Sequence, residues 1–205
     1  ASKQEILRRC FRYRCEYVMG FADKETVQRV ELFIKDFQLT PEYRKVVEPA
    51  RRAAEDGQRD KRGNEGIYCG AAIELRDGTI VTGNNSPLFH AASSVVIHAI
   101  KHLAGIPDKI QLLPSYITSS ISNLKTEILK EKTVSLDLEE TLIALSISAT
   151  TNSAAQLAIE QLRELERCEV HITHIPTPGD EAGLRRLGVN LTSDPNFSSK
   201  NLFIS

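Results

Sequence analysis

The stretch "GAAIELRDGTIVTGNNSPLFHAASSVVIHAIKHLAG", residues 70–105, decides the fold class of this 205-residue chain. Its apolar beginning predicts a strand, and the Asp-Gly pair at 77–78 predicts a tight turn into a second strand. After a polar loop, the apolar run from Ala91 to Leu103 predicts a helix that ends before Gly105. Two paired strands followed by a buried-looking helix indicate an α/β domain.

The rest of the chain extends this pattern on both sides. Residues 1–56 are predicted to be a helical segment, and the charged, glycine-bearing residues 57–66 are predicted to be a linker. Residues 67–205 are predicted to form one α/β domain, a three-layer fold with a mixed sheet. Further strands are expected at 109–113 and 168–175 and at the edge of the sheet at 188–194. Further helices are expected at 115–129, 138–150, 153–166 and 180–187.

Composition limits the partners that the chain can have. The formal net charge is −1 and the estimated pI is 6.6, which does not favour nucleic acid or an anionic membrane as a partner. No apolar run approaches the length that spans a bilayer. The four cysteines, Cys10, Cys15, Cys69 and Cys168, are scattered along the chain, which is typical of the reducing cytoplasm rather than of a disulfide scaffold.

The order of elements resembles that of zinc-dependent nucleoside deaminases. Those enzymes need a His or Cys ligand with a Glu two residues later, and a P-C-x-x-C pair at a later helix. Here the first helix begins "HAASSVV" at His90, without a Glu, and the later one begins "PSYITSS" at Pro114, without a Cys. His98 and His102 share a helix face, but structural zinc normally has four ligands. We therefore predict a deaminase-like shape without a zinc site, without a metal and without a cofactor.

Two polar segments are candidate ligand sites. The first lies between the second strand and the helix, where free N–H groups and the helix dipole favour anions; its residues are Asn84, Asn85, Ser86, Ser93 and Ser94. The second is the corner between two later helices, at Thr151 and Asn152. The alternative for both is purely structural, a turn with a helix cap and a helix corner. No G-x-S-x-G elbow or other catalytic constellation is visible, so the sequence leaves open whether the protein is an enzyme.

Five segments together resemble one bacterial family: "GAAIELRDGTIVTG", "LAGIPDKIQLL", "LIALSISATTNSAAQLAIEQL", "RRLGVNLTSDP" and, at the start, "ASKQEILRR". This is uncharacterised protein family 0371, also called domain of unknown function 1846. The resemblance implies that the chain is the C-terminal part of a longer protein. It also implies an absent N-terminal part with a glycine-rich "GPGSGK"-like loop, which suggests nucleotide or phosphate binding. Some members carry the label ATP-dependent peptidase.

Three functions follow as hypotheses. The leading one is an accessory domain of a larger cytoplasmic protein that binds a small nucleotide- or phosphate-like ligand, or completes a site with the N-terminal part. The alternative is a structural or homo-oligomerisation module. It rests on aromatic residues of the N-terminal helices that could be exposed: Phe11, Tyr13, Tyr17, Phe33, Phe37 and Tyr43. The third is a part of a peptidase-like hydrolase.

Overall fold

Four strands form one mixed sheet in the computed structural model, which describes residues 2–198. They are β1 (Gly70–Glu74), β2 (Ile80–Asn84), β3 (Glu169–Ile172) and β4 (Asn190–Ser193), in the order β2-β1-β3-β4. β1 pairs antiparallel with both β2 and β3, and β3 pairs parallel with β4. The predicted mixed α/β class is confirmed. Residues 199–205 of the predicted domain lie outside the described part of the chain.

Eight α-helices accompany the sheet in this described part. They are α1 (Ser2–Val18), α2 (Lys24–Asp36), α3 (Val47–Arg59), α4 (Ala91–Leu103), α5 (Ser115–Asn123), α6 (Leu138–Ser148), α7 (Ser153–Glu160) and α8 (Pro178–Arg186). A π-helical turn, Leu124–Ile128, continues α5, and a 3-10 segment, Gln161–Leu165, continues α7. The predicted helices at 115–129 and 153–166 therefore each end in a different helix type.

Successive side chains of β1 point to opposite faces of the sheet. Because the side chains on both faces are apolar, helices pack on both faces. Ala71 and Ile73 belong to the main core, together with Val95 of α4. On the opposite face Ala72 packs against Ala50 of α3. Gly70 lets α3 approach closely, since a Cβ there would lie 2.5 Å from Ala54 N.

The predicted linker, residues 57–66, begins inside α3. The helix continues to Arg59, and Gly57 is buried against the Asn84 amide, where a Cβ would lie 2.8 Å from Nδ2. Turns occupy the rest of the segment, closed by an isolated bridge between Asn64 and Ile67. The charged residues of this segment therefore lie at an exposed helix end and in turns. The division of the chain into a helical segment, a linker and an α/β domain remains a prediction.

The strand expected at 109–113 is wrong. These residues form a turn and bends. Side chains from other elements donate hydrogen bonds to their backbone carbonyls, which are therefore not paired with a neighbouring strand. The ammonium group of the buried Lys101 donates to Ile110 O at 2.9 Å, and Asn152 Nδ2 donates to Gln111 O at 3.2 Å. Ser148 Oγ donates to Leu112 O. The segment is thus a connection fixed by side chains rather than by a strand partner.

The N-terminal helices are attached to the sheet through both apolar and charged contacts. Phe11, which the sequence predicted as exposed, is instead 3% exposed and lies 4.9 Å from the His171 ring of β3, centroid to centroid. The buried Arg44 guanidinium contacts the Glu169 carboxylate at 2.6 Å. The aromatics Tyr17, Phe33, Phe37 and Tyr43 are exposed, as predicted. No helix in residues 2–198 is long and apolar enough to cross a bilayer.

Candidate functional site

Polar residues follow three of the four strands at the same end of the sheet. β2, β3 and β4 all run in the same direction, since β1 is antiparallel to its two neighbours. Their carboxyl ends therefore lie at the same edge, which is where open α/β sheets usually bind ligands. Asn85 follows β2, His174 follows β3 and Asp194 follows β4.

A histidine and an aspartate form the most distinctive contact of the molecule. His90 is the N-cap residue of α4, and its Nδ1 lies 2.7 Å from Oδ2 of Asp180 in α8. The Asp180 side chain is 7% exposed and the His90 side chain is 23% exposed. Within residues 2–198, no hydrogen-bond partner is present for His90 Nε2. The pair has the arrangement in which a buried carboxylate orients an imidazole and leaves its second nitrogen available.

The carboxylate of Asp180 also joins the beginnings of three helices. Its Oδ1 accepts from Leu138 N at the start of α6 at 2.9 Å, and its Oδ2 accepts from Thr177 Oγ1 at 2.8 Å. Thr177 is the N-cap of α8, and His90 is that of α4. Helix N-termini carry partial positive charge, and three of them meet at this carboxylate. The same contacts give Asp180 a structural role in addition to any chemical one.

The carboxylate of Asp180 raises the pKa of His90. Burial by itself lowers the pKa of His90, but the hydrogen bond and the charge of Asp180 outweigh burial and raise it above the ordinary value. The charge of Asp137 acts in the same direction, whereas that of Lys125 opposes it. His90 is therefore an imidazole at a fixed position whose protonated form is favoured by the neighbouring carboxylate.

A second group of charged residues lies beside this pair. Asp137 is the N-cap of α6 and forms a complete capping box with Glu140. Glu140 Oε2 also accepts from the buried Lys125 Nζ at 2.8 Å, and Lys125 donates to Ser135 O at 2.9 Å. Lys125 lies in the π-helical turn, a feature often found near functional sites. Burial raises the pKa of the Asp137 carboxyl, and the negative charges of Glu140 and Asp180 raise it further.

Three of the predicted ligand residues are occupied by structural hydrogen bonds. Asn85 Oδ1 accepts from Cys69 N at 2.8 Å, and its Nδ2 donates to Ile67 O at 2.9 Å. The Asn84 amide donates to Ala53 O of α3. Ser86 Oγ accepts from two backbone N–H groups of the following turn, at 3.2 and 3.0 Å. These side chains hold the loop in shape, which is the structural alternative weighed for them.

The other four predicted residues fall into two places. Ser93 and Ser94 are buried in the first turn of α4, and Ser93 Oγ donates to Leu136 O at 3.1 Å. Asn152 caps α7 and holds the 111–112 segment, while Thr151 is exposed beside it. The structure thus brings the serines to the His90 end of α4, and places Thr151 and Asn152 at the helix corner.

Metal ligands do not converge in the described residues. No group of three or more His, Cys, Asp or Glu side chains within residues 2–198 is arranged to hold a metal ion. His98 and His102 are both exposed, and His98 Nδ1 lies 2.8 Å from Thr82 O. Desolvation raises the pKa of the buried Cys69 thiol to about 12, so this group is an unreactive thiol near neutral pH.

Sequence reasoning missed the partner of His90. Asp180 lies 90 residues further on, in "TPGD", where it has the ordinary appearance of an acidic residue in the first turn of a helix. The capping pattern of Asp137 and Glu140 in "DLEE" was a local signal that could have been read. No local signal indicated that these two helix starts and that of α4 converge.

Comparison with known proteins identifies the family. A family profile described as domain of unknown function DUF1846, C-terminal, matches residues 42–203. The chain belongs to this family. The profile begins before α3, so the helix that covers one face of the sheet is included in the matched region, as are both His90 and Asp180.

Members of the family from Clostridium botulinum are similar to the chain over nearly its whole length. A UPF0371 protein of strain Alaska E43 is 46% identical over 203 residues, and one of strain Eklund 17B is 45% identical over 203 residues. A third, from strain ATCC 19397, is 44% identical over 204 residues. Each alignment covers 99% of this chain but 40% of the relative. The chain therefore spans less than half the length of these DUF1846 family relatives.

Proposed function

We propose that this chain is the C-terminal domain of a longer cytoplasmic bacterial protein and binds a small nucleotide-like ligand at His90 and Asp180. The observation that carries the proposal is the orientation of His90, whose Nδ1 is held by a buried carboxylate while Nε2 has no hydrogen-bond partner within residues 2–198. An imidazole fixed in this way can donate a proton to a ligand or accept one from it. Part of the site would come from the rest of the longer protein.

The charges around His90 narrow the kind of ligand. No side chain caps α4, so the N–H groups of its buried first turn have no side-chain acceptor and contribute partial positive charge beside His90. The carboxylates of Asp137 and Asp180 lie close by and would repel an inorganic phosphate that approaches alone. A nucleotide carries uncharged polar groups as well as phosphate, and it can present the former to the carboxylates. The carboxylates beside His90 therefore favour a nucleotide over free phosphate as the ligand.

The deaminase-like shape belongs to the same proposal. The hairpin, the helix α4 on one sheet face and the strand order β2-β1-β3-β4 support it. His90 stands at the helix start where a deaminase places its first zinc ligand, but residue 92 is Ala and not Glu. We infer that the chain uses the deaminase-like position of His90 for a proton-exchanging contact and not for base deamination.

Thermal unfolding with defined probes tests this function. The longer polypeptide, with this chain as its C-terminal part, is heated alone, with AMP and with inorganic phosphate. AMP is expected to raise the melting temperature of the wild type, because a ligand that binds only the folded state stabilises it. The increase should be lost in His90→Gln and retained in His102→Gln, which removes an exposed imidazole from the same helix. An equal AMP shift in His90→Gln, or no AMP shift in the wild type, would refute the proposal.

A second candidate function is hydrolysis, in keeping with the third hypothesis from the sequence. At a pH above the raised pKa of His90, where Nε2 is unprotonated, the His90–Asp180 pair has the geometry of a general base that removes a proton from a water molecule. If the longer protein hydrolyses ATP through this pair, His90→Gln should lower kcat about 100-fold or more. An unchanged kcat in this variant would exclude His90 from the chemistry.

A structural or homo-oligomeric role is the remaining candidate. The exposed aromatics Tyr17, Phe33 and Phe37 support it, because they lie on or next to the two N-terminal helices. Sedimentation of the longer protein distinguishes this role from ligand binding by a monomer. Dissociation of an oligomer by Phe33→Glu would support self-assembly, and a monomer at all concentrations would oppose it.

A further inference from the structure

A long uncharged segment forms an exposed pair of helices. Residues 141–159, "TLIALSISATTNSAAQLAI", contain no Asp, Glu, Lys, Arg or His, in a chain of which 26% is charged. This segment provides most of α6 and nearly all of α7. Helices that face solvent normally carry charged residues on their outer side. The absence of charge therefore requires a reason other than burial in the core of this domain.

In residues 141–159 the outer side of the two helices is uncharged and carries three large aliphatic side chains. On α6 and just beyond its end the exposed residues recur at helical spacing, at Ile143, Ser146, Ile147 and Thr150. Ile143 is 62% exposed and Ile147 is 52% exposed, and Leu157 of the adjoining α7 is 52% exposed. We call these five residues the charge-free face.

The inner side of α6 is fully used by the core. Thr141, Ala144, Leu145 and Ser148 are buried. From Thr141 onward the helix consequently lacks charge on both sides, which is typical of a helix that is buried all round in the complete protein. The two exposed isoleucines, one turn apart on its outer side, do not contribute to the core of this domain.

The neighbouring helix extends the uncharged surface. Lys125 contacts Glu140 at the start of α6, and Ser148 at its end contacts Leu112, so α5 and α6 run antiparallel beside each other. Residues 110–124, which include α5, also lack charged side chains. Tyr116 on α5 is 66% exposed. Depletion of charge together with exposed aliphatic and aromatic side chains characterises the core of a protein interface.

We propose that the charge-free face docks onto the remainder of the longer polypeptide. The length of the relatives indicates what covers this face. The chain aligns with only 40% of each relative. The remainder of such a protein is joined to this domain and is therefore always close to it. An intramolecular partner that folds with the domain explains why two exposed isoleucines are tolerated without charged neighbours. The face is distinct from the His90 site, so the proposal does not depend on the function proposed above.

Cysteine labelling in the longer polypeptide tests the proposal. The four native cysteines of this chain are buried, so an introduced thiol can be followed by maleimide labelling and peptide mass spectrometry. Ile147→Cys reports on the charge-free face, and Leu157→Cys is a second reporter on α7 should the first variant fail to fold. Gln58→Cys, at an exposed position among the charged residues of α3, is the matched control. Labelling is measured over a concentration range in which sedimentation gives the oligomeric state.

The proposal makes a definite prediction for the rates. The thiol of Ile147→Cys should react about tenfold or more slowly than that of Gln58→Cys even where the protein is a monomer, because only local opening exposes it. Protection that appears only in a dimer and disappears on dilution would show that a second copy covers the face, and would overturn the proposal. Equal rates for the two thiols in the monomer would show that the face is open to solvent, and would overturn it as well.

Discussion

The imidazole of His90 and the carboxylate of Asp180 lie 2.7 Å apart, although 90 residues separate them in the sequence. The contact forms because α4 and α8 begin at the same end of the domain, where α6 also begins. Three helix N-termini, each with partial positive charge, therefore surround one buried carboxylate. The charged carboxylate in turn keeps His90 protonated to higher pH. The fold thus holds the His90 imidazole in one orientation and favours its protonated form.

The first prediction concerns Asn85, which the sequence placed among the ligand contacts. Asn85→Ala removes the partners of Cys69 N and Ile67 O, both inside the fold. We expect it to lower the free energy of unfolding by about 1–3 kcal/mol. Thr151→Ala, at an exposed predicted site residue, should change it by no more than about 0.5 kcal/mol. Urea denaturation measures both values, and a neutral Asn85→Ala would show that its hydrogen bonds have little structural importance.

The second prediction concerns acid stability. Burial would raise the pKa of Asp194, but the nearby His171 imidazole, 3.5 Å from its Oδ2, and the hydrogen bonds from Arg51 outweigh burial and lower it from 3.8 to about 2. A lowered carboxyl pKa gives stability that is present above pH 3.8 and is lost as the pH falls towards 2. At neutral pH the contribution is about 2 kcal/mol, at about 1.4 kcal/mol per pKa unit.

Asp194→Asn should therefore lower the free energy of unfolding at neutral pH and should differ less from the wild type as the pH falls through this window. Denaturation at a series of pH values measures the difference. Asp108→Asn is the control, because the Asp108 side chain is exposed and has no ion pair within residues 2–198. A difference between Asp194→Asn and wild type that stays constant down to the lowest pH would contradict the assignment.

The third prediction concerns the contact between α3 and the sheet. Gly70→Ala places a methyl group against the backbone of α3, where Ala54 N would be 2.5 Å away. Backbone atoms cannot move aside as a flexible side chain can, so we expect a loss of about 1–3 kcal/mol in the free energy of unfolding. Glu55→Ala on the outer side of α3 controls for changes in the helix itself. If Gly70→Ala is as stable as Glu55→Ala, α3 does not lie directly on β1.

The fourth prediction concerns the pH dependence that His90 gives to stability. The pKa of His90 is raised above 6.5 in the folded state, so the protonated form stabilises the fold. This contribution is complete below pH 6.5 and is lost as the pH rises through the higher folded-state pKa. His90→Gln should therefore be destabilised relative to the wild type more strongly at acidic than at alkaline pH, as denaturation at a series of pH values would measure. His102→Gln controls for the loss of an exposed imidazole, and a larger His90→Gln deficit at alkaline pH would contradict the sign of the shift.

Local patterns were sufficient to predict much of the fold. The bounds of α4 agree with the prediction, because an apolar periodic run and Gly105 define them. The hairpin of β1 and β2 was visible in its Asp-Gly turn. The edge strand β4, Asn190–Ser193, lies within the segment 188–194 in which an edge strand was predicted. Each of these signals lies within a few residues of the element that it specifies.

Features that depend on distant contacts could not be predicted in the same way. The segment 109–113 has a strand-like composition, but Lys101, Ser148 and Asn152 bind its carbonyls from other elements. Phe11 has the appearance of an exposed aromatic until β3 brings His171 against it. The contact between His90 and Asp180 also depends on residues that are distant in the sequence. It forms only when the beginnings of α4 and α8 lie next to each other.

The most direct test of the account is the titration of the His90 imidazole by NMR, with the signal assigned through its loss in His90→Gln. We predict a pKa above 6.5 in the wild-type protein and a lower one in Asp180→Asn, because the neutral amide no longer favours the charged ring. The pKa of His90 in the wild-type protein is sufficient to test the proposed proton donor, even if Asp180→Asn folds poorly. A His90 pKa below 6.5 in the wild type would mean that burial prevails over Asp180, and the proposed proton donor would not exist.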